Sequence, residues 1–371
     1  LNTQVTAPES AFSDTYYHAD GSTAGIKAGE VLTVKELLQC MLIVSANEAC
    51  NILADWYAGS IPAFVDAMNA KAEELGCADT HFVNPNGLHD PDHYTSAWDL
   101  YLITKAAMQY PEFMEICDSA KAVIPATNLS KERSLYTTNH LLSNWRVIGY
   151  RDTRAHGIKT GSTDAAGHCL ISSAQEGDLH FVSVVMGAER IEENGVGNLL
   201  NFSETSHLFD YGFKNFSYRT ILKKDEIVQE VTVSLSKTDY VTVHPADDVE
   251  VLFPRDLDPA ELERVITLPD AAEAPITAGQ KLGTMELKDG DTSYATVDLL
   301  ASTDVEADSL MVFRHNVTLF FQKPTVRIGI VVLAVLILLL AVLYFTRGSR
   351  RRRYGRSPRS YSSGYRGRRR R

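Results

Sequence analysis

The sequence predicts an α/β chain of the α+β kind, with helices and strands in separate stretches and one membrane-spanning helix near its end. Three observations predict it. Apolar residues recur at helical spacing over roughly residues 33–110. Short β-branched segments take over from residue 156 and alternate at period two after Phe216. Residues 328–345 form a single uncharged apolar run. A length of 371 residues accommodates one large domain and a smaller one. With 44% hydrophobic and 22% charged residues, the chain is neither mostly disordered nor collagen-like.

Taken in order, residues 1–30 are polar and rich in Gly, Ser and Thr, which predicts short strands or loops. Thr33-x-x-Glu36 is a capping box, and Val34, Leu37, Leu38, Met41 and Leu42 follow at helical spacing. The pattern pauses at Val44-Ser45-Ala46-Asn47 and resumes with Ala49, Cys50, Leu53, Ala54 and Tyr57. Further helices are expected over 62–75, stopped by Gly76, and over 96–109, closed by Pro111. Asn84-Pro85-Asn86-Gly87 is a turn. Residues 168–174 and 180–187 read as core strands joined by a hairpin-like turn at Glu176-Gly177-Asp178, and an amphipathic helix is expected over 198–211. The span 218–322, with Val231, Val233, Leu235, Val241 and Val243 in alternation, reads as a separate β-rich module. Trp56, Trp98 and Trp145 are expected as core aromatics.

The run IGIVVLAVLILLLAVLYF is about long enough to cross ~30 Å of hydrocarbon, and a buried core helix would not need eighteen apolar residues in a row. A transmembrane helix is therefore assigned to 326–346 and a basic tail to 347–371. The tail holds twelve arginines and no acid, leaving 24 basic against 47 acidic side chains in residues 1–346, a net of −23. Arginines beside a span mark its cytoplasmic side, so the acidic body is placed outside the cell membrane in a single-pass arrangement. A body this acidic excludes a nucleic-acid reader. Cys40, Cys50, Cys77, Cys117 and Cys169 are odd in number and lack C-x-x-C spacing, which indicates neither a disulfide framework nor a zinc site. An exported body needs an export signal, and neither Met nor a signal peptide begins the sequence. Further residues are thus expected ahead of Leu1.

Two short motifs carry chemistry. In His156-Gly157-Ile158-Lys159-Thr160-Gly161-Ser162-Thr163, the Lys159 ammonium and Thr160 hydroxyl suit a substrate carboxylate, and Gly161 leaves room for a peptide backbone along the strand. Ser45-Ala46-Asn47 lies in the break between two helices, where Ser45 and Asn47 can face a cleft; a helix N-cap is the plain alternative. Each motif alone is common. Ser-x-Asn followed by Lys-Thr-Gly, 114 positions apart, is the order of penicillin-binding proteins.

The segments SANEACNILAD (45–55), FVDAMNAKAEELG (64–76), THFVNPNGLHDPDHYTSAWDL (80–100) and HGIKTGSTDAAGHCLISSA (156–174) resemble the D-alanyl-D-alanine carboxypeptidases, the low-molecular-mass penicillin-binding proteins. The resemblance runs over 5–216. It implies a penicillin-binding, transpeptidase-like fold: a central antiparallel sheet flanked by helices (1–217), then a β-rich membrane-proximal domain (218–322). It also implies a serine-type hydrolase with peptidoglycan stem peptides as substrate and β-lactam antibiotics as substrate mimics. Ser45 and Asn47 take catalytic roles alongside Lys159. Thr160, Gly161, Ser162 and Arg190 bind substrate, Ser162 through a backbone N–H of the oxyanion hole. No cofactor or metal is expected. The family's nucleophile, the Ser of Ser-x-x-Lys, is expected well ahead of Ser45. The only such motif here is Ser234-Leu235-Ser236-Lys237, which reads as a strand end. The nucleophile is therefore expected outside these residues.

Other readings fit less well. His89 and His93 in His-Asp-Pro-Asp-His hint at a zinc carboxypeptidase, but no third ligand is apparent. His156 and His168 are expected as groove-lining or packing residues. A β-lactamase needs a deacylating Glu before Lys-Thr-Gly, and no Glu-x-x-Leu-Asn is found. A catalytically inactive peptidoglycan-binding homologue is the remaining alternative.

Overall fold

The order of elements follows from where helical periodicity gives way to alternation. The computed structural model describes residues 1–13, 15–18, 21–193 and 196–353. It divides into two compact units, Leu1–Arg219 with Leu252–Leu257, and Thr220–Val251 with Asp258–Arg371.

In the first unit, β1 (Gln4–Thr6) pairs antiparallel with β2 (Val31–Thr33), which runs directly into α1 (Val34–Val44). The capping box forms: the Glu36 N–H donates to Thr33 Oγ1 at 3.2 Å, and the Thr33 N–H donates back to Glu36 Oε2 at 2.7 Å. Next come α2 (Asn47–Ala58), α3 (Ile61–Glu74), α4 (Ala97–Ala107) and α5 (Pro111–Cys117). Leu37, Cys40 and Ile43 of α1, Ala49 and Ile52 of α2, and Ile116 of α5 close one core with Val5 and Leu32. Pro111 does not close a helix but opens one. It sits in the first turn of α5, where its missing N–H costs no hydrogen bond.

The ribbon β3 (Lys121–Ile124) and β4 (Arg133–Tyr136) leads to the antiparallel sheet of β5 (Ala155–Thr163), β6 (Gly167–Glu176) and β7 (Leu179–Ala188), in the order β5-β6-β7. Glu176 and Leu179 pair across the expected hairpin turn. A hairpin of β8 (Arg190–Glu193) and β9 (Val196–Leu199) follows, and then α6 (Leu200–Asn215). Helix was expected from residue 198, but Asn198 and Leu199 belong to β9. Phe202, Phe209 and Phe213 of α6 pack with Leu170 and Ala174 of β6, forming a second core on one face of the sheet.

The tryptophans depart from expectation. Trp56, Trp98 and Trp145 are 45%, 65% and 64% exposed. The inward positions of α2 and α4 belong to small or polar residues such as Ala49, Ala54, Asp99 and Thr104, which let neighbouring elements come too close for an indole.

After β10 (Phe216–Leu222), the second unit contributes β11 (Gln229–Ser234) and β12 (Tyr240–Pro245); β13 (Val249–Pro254) follows. With β14 (Glu263–Thr267), β15 (Ala272–Glu273), β16 (Lys281–Asp289) and β17 (Thr292–Ala301) the unit completes a six-stranded sheet in the order β14-β16-β17-β12-β11-β15. Val231, Val233, Val241 and Val243 are buried, as the alternation required, and so are Met285, Leu287 and Leu299; Leu235 departs from it, half-buried past the end of β11 at φ 64. The β-rich reading overran in one place. Strand structure ends at Ala301, and Ser309–Gln322 is helix α7, capped by Asp308, whose carboxylate accepts the N–H groups of Leu310 and Met311. Helix α8 (Pro324–Arg353) contains the apolar run, and its Pro324–Phe345 portion is long and apolar enough to cross a membrane. The basic tail 347–371 lies outside the described residues from 354 onward.

A buried ion pair ties the first unit's opening segment to its β-ribbon. Glu30 is fully buried and its carboxylate meets the Arg133 guanidinium, which also donates to the Ala24 carbonyl at 3.0 Å. Thr127 adds a hydrogen bond to the same carboxylate. Arg133→Met would leave that charge buried without its cation and is expected to cost about 3–5 kcal/mol, read as denaturant unfolding by tryptophan emission. Arg133→Met combined with Glu30→Gln is expected to lose less, because no charge remains stranded. Equal losses would remove the ion pair as the cause.

Candidate active site

Helix α1 ends because Ser45 turns left-handed, at φ 61 and ψ 36, a conformation that costs a non-glycine residue of order 1–3 kcal/mol. The turn is short: the Ala46 N–H returns to the Cys40 carbonyl at 3.0 Å and α2 begins at Asn47. The Ser45 hydroxyl is left pointing out of the helix pair. It accepts a hydrogen bond from Lys159 Nζ at 2.9 Å. The two motifs separated by 114 positions therefore meet through side chains.

Lys159 reaches Ser45 from β5, an edge strand of its sheet, past a register shift between His156 and Lys159. Gly157 stands in that bulge at φ 62, and a Cβ there would come within 3.1 Å of Cys117 Cβ. Its carbonyl accepts from Asn139 Nδ2 at 2.6 Å and from Ser172 Oγ at 2.7 Å, so the bulge is anchored on both sides. The Lys159 ammonium makes a second bond, to the Thr160 carbonyl at 2.7 Å. One of its three N–H groups remains, and among the described residues no carboxylate pairs with it. Thr160 Oγ1 lies 2.6 Å from Thr138 Oγ1. A Cβ on Gly161 would meet no atom within 4 Å, which leaves space for an extended peptide at the strand edge.

Desolvation pushes the Lys159 pKa below the ordinary lysine value. Cys50 and Cys117, the acidic groups that act on it, are themselves pushed up to about 12, chiefly by burial, and stay neutral thiols at neutral pH. The site thus holds a partly dehydrated cation with no fixed counter-ion.

The remaining expected residues are placed unevenly. Asn47 is buried, its N–H donates to the Ser22 carbonyl at 2.9 Å, and its amide lies against Gly21, so Ser45 alone of that pair touches Lys159. Exposed Ser162 hydrogen-bonds His168 Nδ1 at 3.0 Å across the β5–β6 ladder. Arg190 opens β8 and folds over Gly197 of its own hairpin; no described hydrogen bond or ion pair takes it to Lys159 or Thr160. His156 pairs with Asp118 at 3.1 Å on the half-exposed surface. His93 accepts the Val83 N–H at 3.3 Å, and burial lowers its pKa. In the other motif, Ser234 Oγ donates to the Ala272 carbonyl while exposed Lys237 pairs with Asp308, so the two do not form a nucleophile–base pair.

Sequence reasoning missed Thr138, Asn139 and Glu48. Glu48 is fully buried at the start of α2, where the helix dipole favours an anion. One carboxylate oxygen accepts from the Thr23 hydroxyl at 2.7 Å and from the Ala24 and Ile26 N–H groups at 2.8 and 3.3 Å, fastening that loop beside Asn47. A Glu directly after Ser-x-Asn was the available signal; nothing local marked Thr138.

Because the folded pKa of Lys159 lies below its unfolded value, the unfolded chain binds more protons between the two, and the penalty for burying the ammonium fades as pH rises through that window. Wild type is expected to gain thermal stability relative to Lys159→Met as pH rises toward the ordinary lysine range. A difference independent of pH would rule out a desolvated ammonium.

Known proteins resemble the chain along most of its length. The family model described as D-alanyl-D-alanine carboxypeptidase matches residues 1–190, and that of the penicillin-binding protein 5 C-terminal domain matches 216–307. The D-alanyl-D-alanine carboxypeptidase DacF of Bacillus subtilis is 29% identical over 293 residues, 79% of this chain and 72% of the relative. DacD of Escherichia coli is 30% identical, over 77% of this chain and 69% of its own length. The solved DacD of Francisella tularensis shares the fold, with a TM-score of 0.62 over 83% of this chain and 82% of that one at 24% identity. Penicillin-binding protein 6B of Escherichia coli gives 0.57 at 27% identity, over 80% and 78%. The chain belongs to the D-alanyl-D-alanine carboxypeptidase family.

Proposed function

We propose that the chain is the greater part of a serine-type D-Ala-D-Ala carboxypeptidase that trims peptidoglycan stem peptides through an acyl-enzyme. One observation carries this reading: the Lys159 ammonium, free of any described carboxylate, donates to Ser45 Oγ at 2.9 Å at the edge of β5. A terminal carboxylate supplies the anion that Lys159 lacks, with the Thr160 hydroxyl as its second donor. The peptide then lies along β5 as an added strand over Gly161.

In this reading a serine outside these 371 residues attacks the carbonyl of the penultimate D-Ala. The C–N bond breaks, and the leaving D-Ala amine takes a proton through the Ser45 hydroxyl. That hydroxyl accepts from Lys159, so its own proton is free to point at the substrate. The Ser162 N–H supports the carbonyl oxygen. Water then cleaves the ester, releasing the shortened peptide. β-Lactams enter as mimics of the same dipeptide. Helix α8 anchors the protein in the cell membrane, with its arginines on the cytoplasmic side and the first unit outside.

A second reading, a binding homologue without catalysis, is favoured by one fact: Ser234-Leu235-Ser236-Lys237 is the sole Ser-x-x-Lys in the sequence. The gene decides between the two. An in-frame Ser-x-x-Lys ahead of the Leu1 codon supports the enzyme, and a start codon there supports the binder.

For the 371-residue chain in detergent, intact-mass analysis after exposure to a fluorescent penicillin is expected to show no covalent adduct. A stable adduct would overturn the placement of the nucleophile. Calorimetry with diacetyl-Lys-D-Ala-D-Ala is expected to show binding that weakens about tenfold or more in Lys159→Met and in Thr160→Val. Binding indifferent to Lys159 would overturn the assignment of the site.

A further inference from the structure

Two aromatic rings beside the site have no part in the chemistry above. Tyr136 and Trp145 stack face to face, with centroids 4.3 Å apart and planes within 8°. Lys121 Nζ lies over the Tyr136 ring at 5.3 Å. Tyr136 is half-buried, but Trp145 is 64% exposed and offers a flat indole face to solvent. In the turn that carries it, the Trp145 N–H donates to Ser143 Oγ at 3.2 Å. Asn144 and Arg146, the exposed neighbours of Trp145 in sequence, carry hydrogen-bond donors.

The chain leading from this stack ends at the site. Leu135, Thr137 and Asn139 are buried, whereas Tyr136, Thr138 and His140 are half-buried. That alternation sets Tyr136 and Thr138 on one side of the segment, about 7 Å apart. Thr138 is the residue whose hydroxyl meets Thr160. The indole therefore lies at most on the order of 18 Å from the hydroxyl pair, once the two side chains and the stack are added to that backbone step. An extended stem of five residues spans up to about 17 Å, so a stem whose carboxylate is at Lys159 keeps its sugar end within reach of the indole.

We propose that the Tyr136–Trp145 stack is a carbohydrate subsite that takes an N-acetylhexosamine ring of the glycan strand. This rests on the reading of the site as a peptidoglycan D,D-peptidase. A pyranose offers a C–H face of the right size for an indole already backed by a second ring, and its hydroxyl and acetamido groups stay at the rim, free to hydrogen-bond. The stack is preorganised, so little side-chain freedom is lost on binding. An uncharged sugar also meets no repulsion from an acidic body.

The test uses the full chain in a detergent without a sugar headgroup and β-1,4-linked N-acetylglucosamine tetramer as probe, a ligand with neither peptide nor D-Ala. Tryptophan emission and calorimetry are expected to show saturable binding. It should weaken at least about tenfold in Trp145→Ala, recover largely in Trp145→Phe, and persist in Trp98→Ala and Lys159→Met. No binding at millimolar sugar, or equal binding by wild type and Trp145→Ala, overturns the proposal. So does a loss in Trp145→Ala confined to diacetyl-Lys-D-Ala-D-Ala, which would make the stack a peptide contact. Loss of tetramer binding in favour of phosphatidylglycerol vesicles would make it a membrane contact, with the same consequence. If wild type takes the tetramer but not the D-Ala-D-Ala peptide, the subsite stands and the peptidase reading falls.

Discussion

The contact between the Lys159 ammonium and the Ser45 hydroxyl is the constraint on which the arrangement of the first unit turns. It joins a strand to a helix break across 114 positions, and it does so with a charged group that is partly out of water. Such a group is tolerated only where its donors are used and its position is over-determined. Among the described residues two donors are used inside the protein and the third is not. A site built this way is unfinished without an anion, and a cation desolvated in advance gives up little hydration when the anion arrives.

The supports around that contact act on backbone position more than on charge. Asn139 and Ser172 both grip the Gly157 carbonyl, which sets where the bulge ends and hence which way Lys159 points. Glu48 grips the Thr23–Ile26 loop from the first turn of α2, and the Glu30–Arg133 pair holds the next residues of that loop to β4. The left-handed turn at Ser45 is therefore enclosed by segments that are themselves tied to the sheet and the ribbon. Strain of that kind persists where neighbouring structure leaves the residue no cheaper conformation.

Local signals in the sequence were read correctly where the physics is local. The Thr33 capping box, the break at Ser45, the turn at Glu176 and the alternation in the second unit each need only neighbouring residues, and each took the expected form. What escaped depends on distant partners. Nothing near Thr138 marks it for Thr160, and nothing near Arg190 shows that its guanidinium folds onto Gly197. The tryptophans were assigned to the core by type, although the helices that carry Trp56 and Trp98 turn small residues inward and Trp145 sits in a turn. Helix α7 was missed because its apolar residues follow a long run of alternating strands, and the same period was carried across a boundary that Asp308 marks with an N-cap.

Charge sets how a site of this design recognises its ligand. Residues 1–346 carry a net −23, a field that opposes an anionic chain end at long range. At physiological ionic strength that field decays over about 8 Å, whereas Lys159 acts in contact and in a medium where its charge is poorly screened. Approach is thus not steered by the body as a whole, and under the proposed function selectivity for a chain end would arise in the last few ångströms, at Lys159 and Thr160. Under such a field, any added affinity is most cheaply drawn from uncharged surface. A preformed ring stack, two residues along the chain from Thr138, provides such surface without adding to the repulsion.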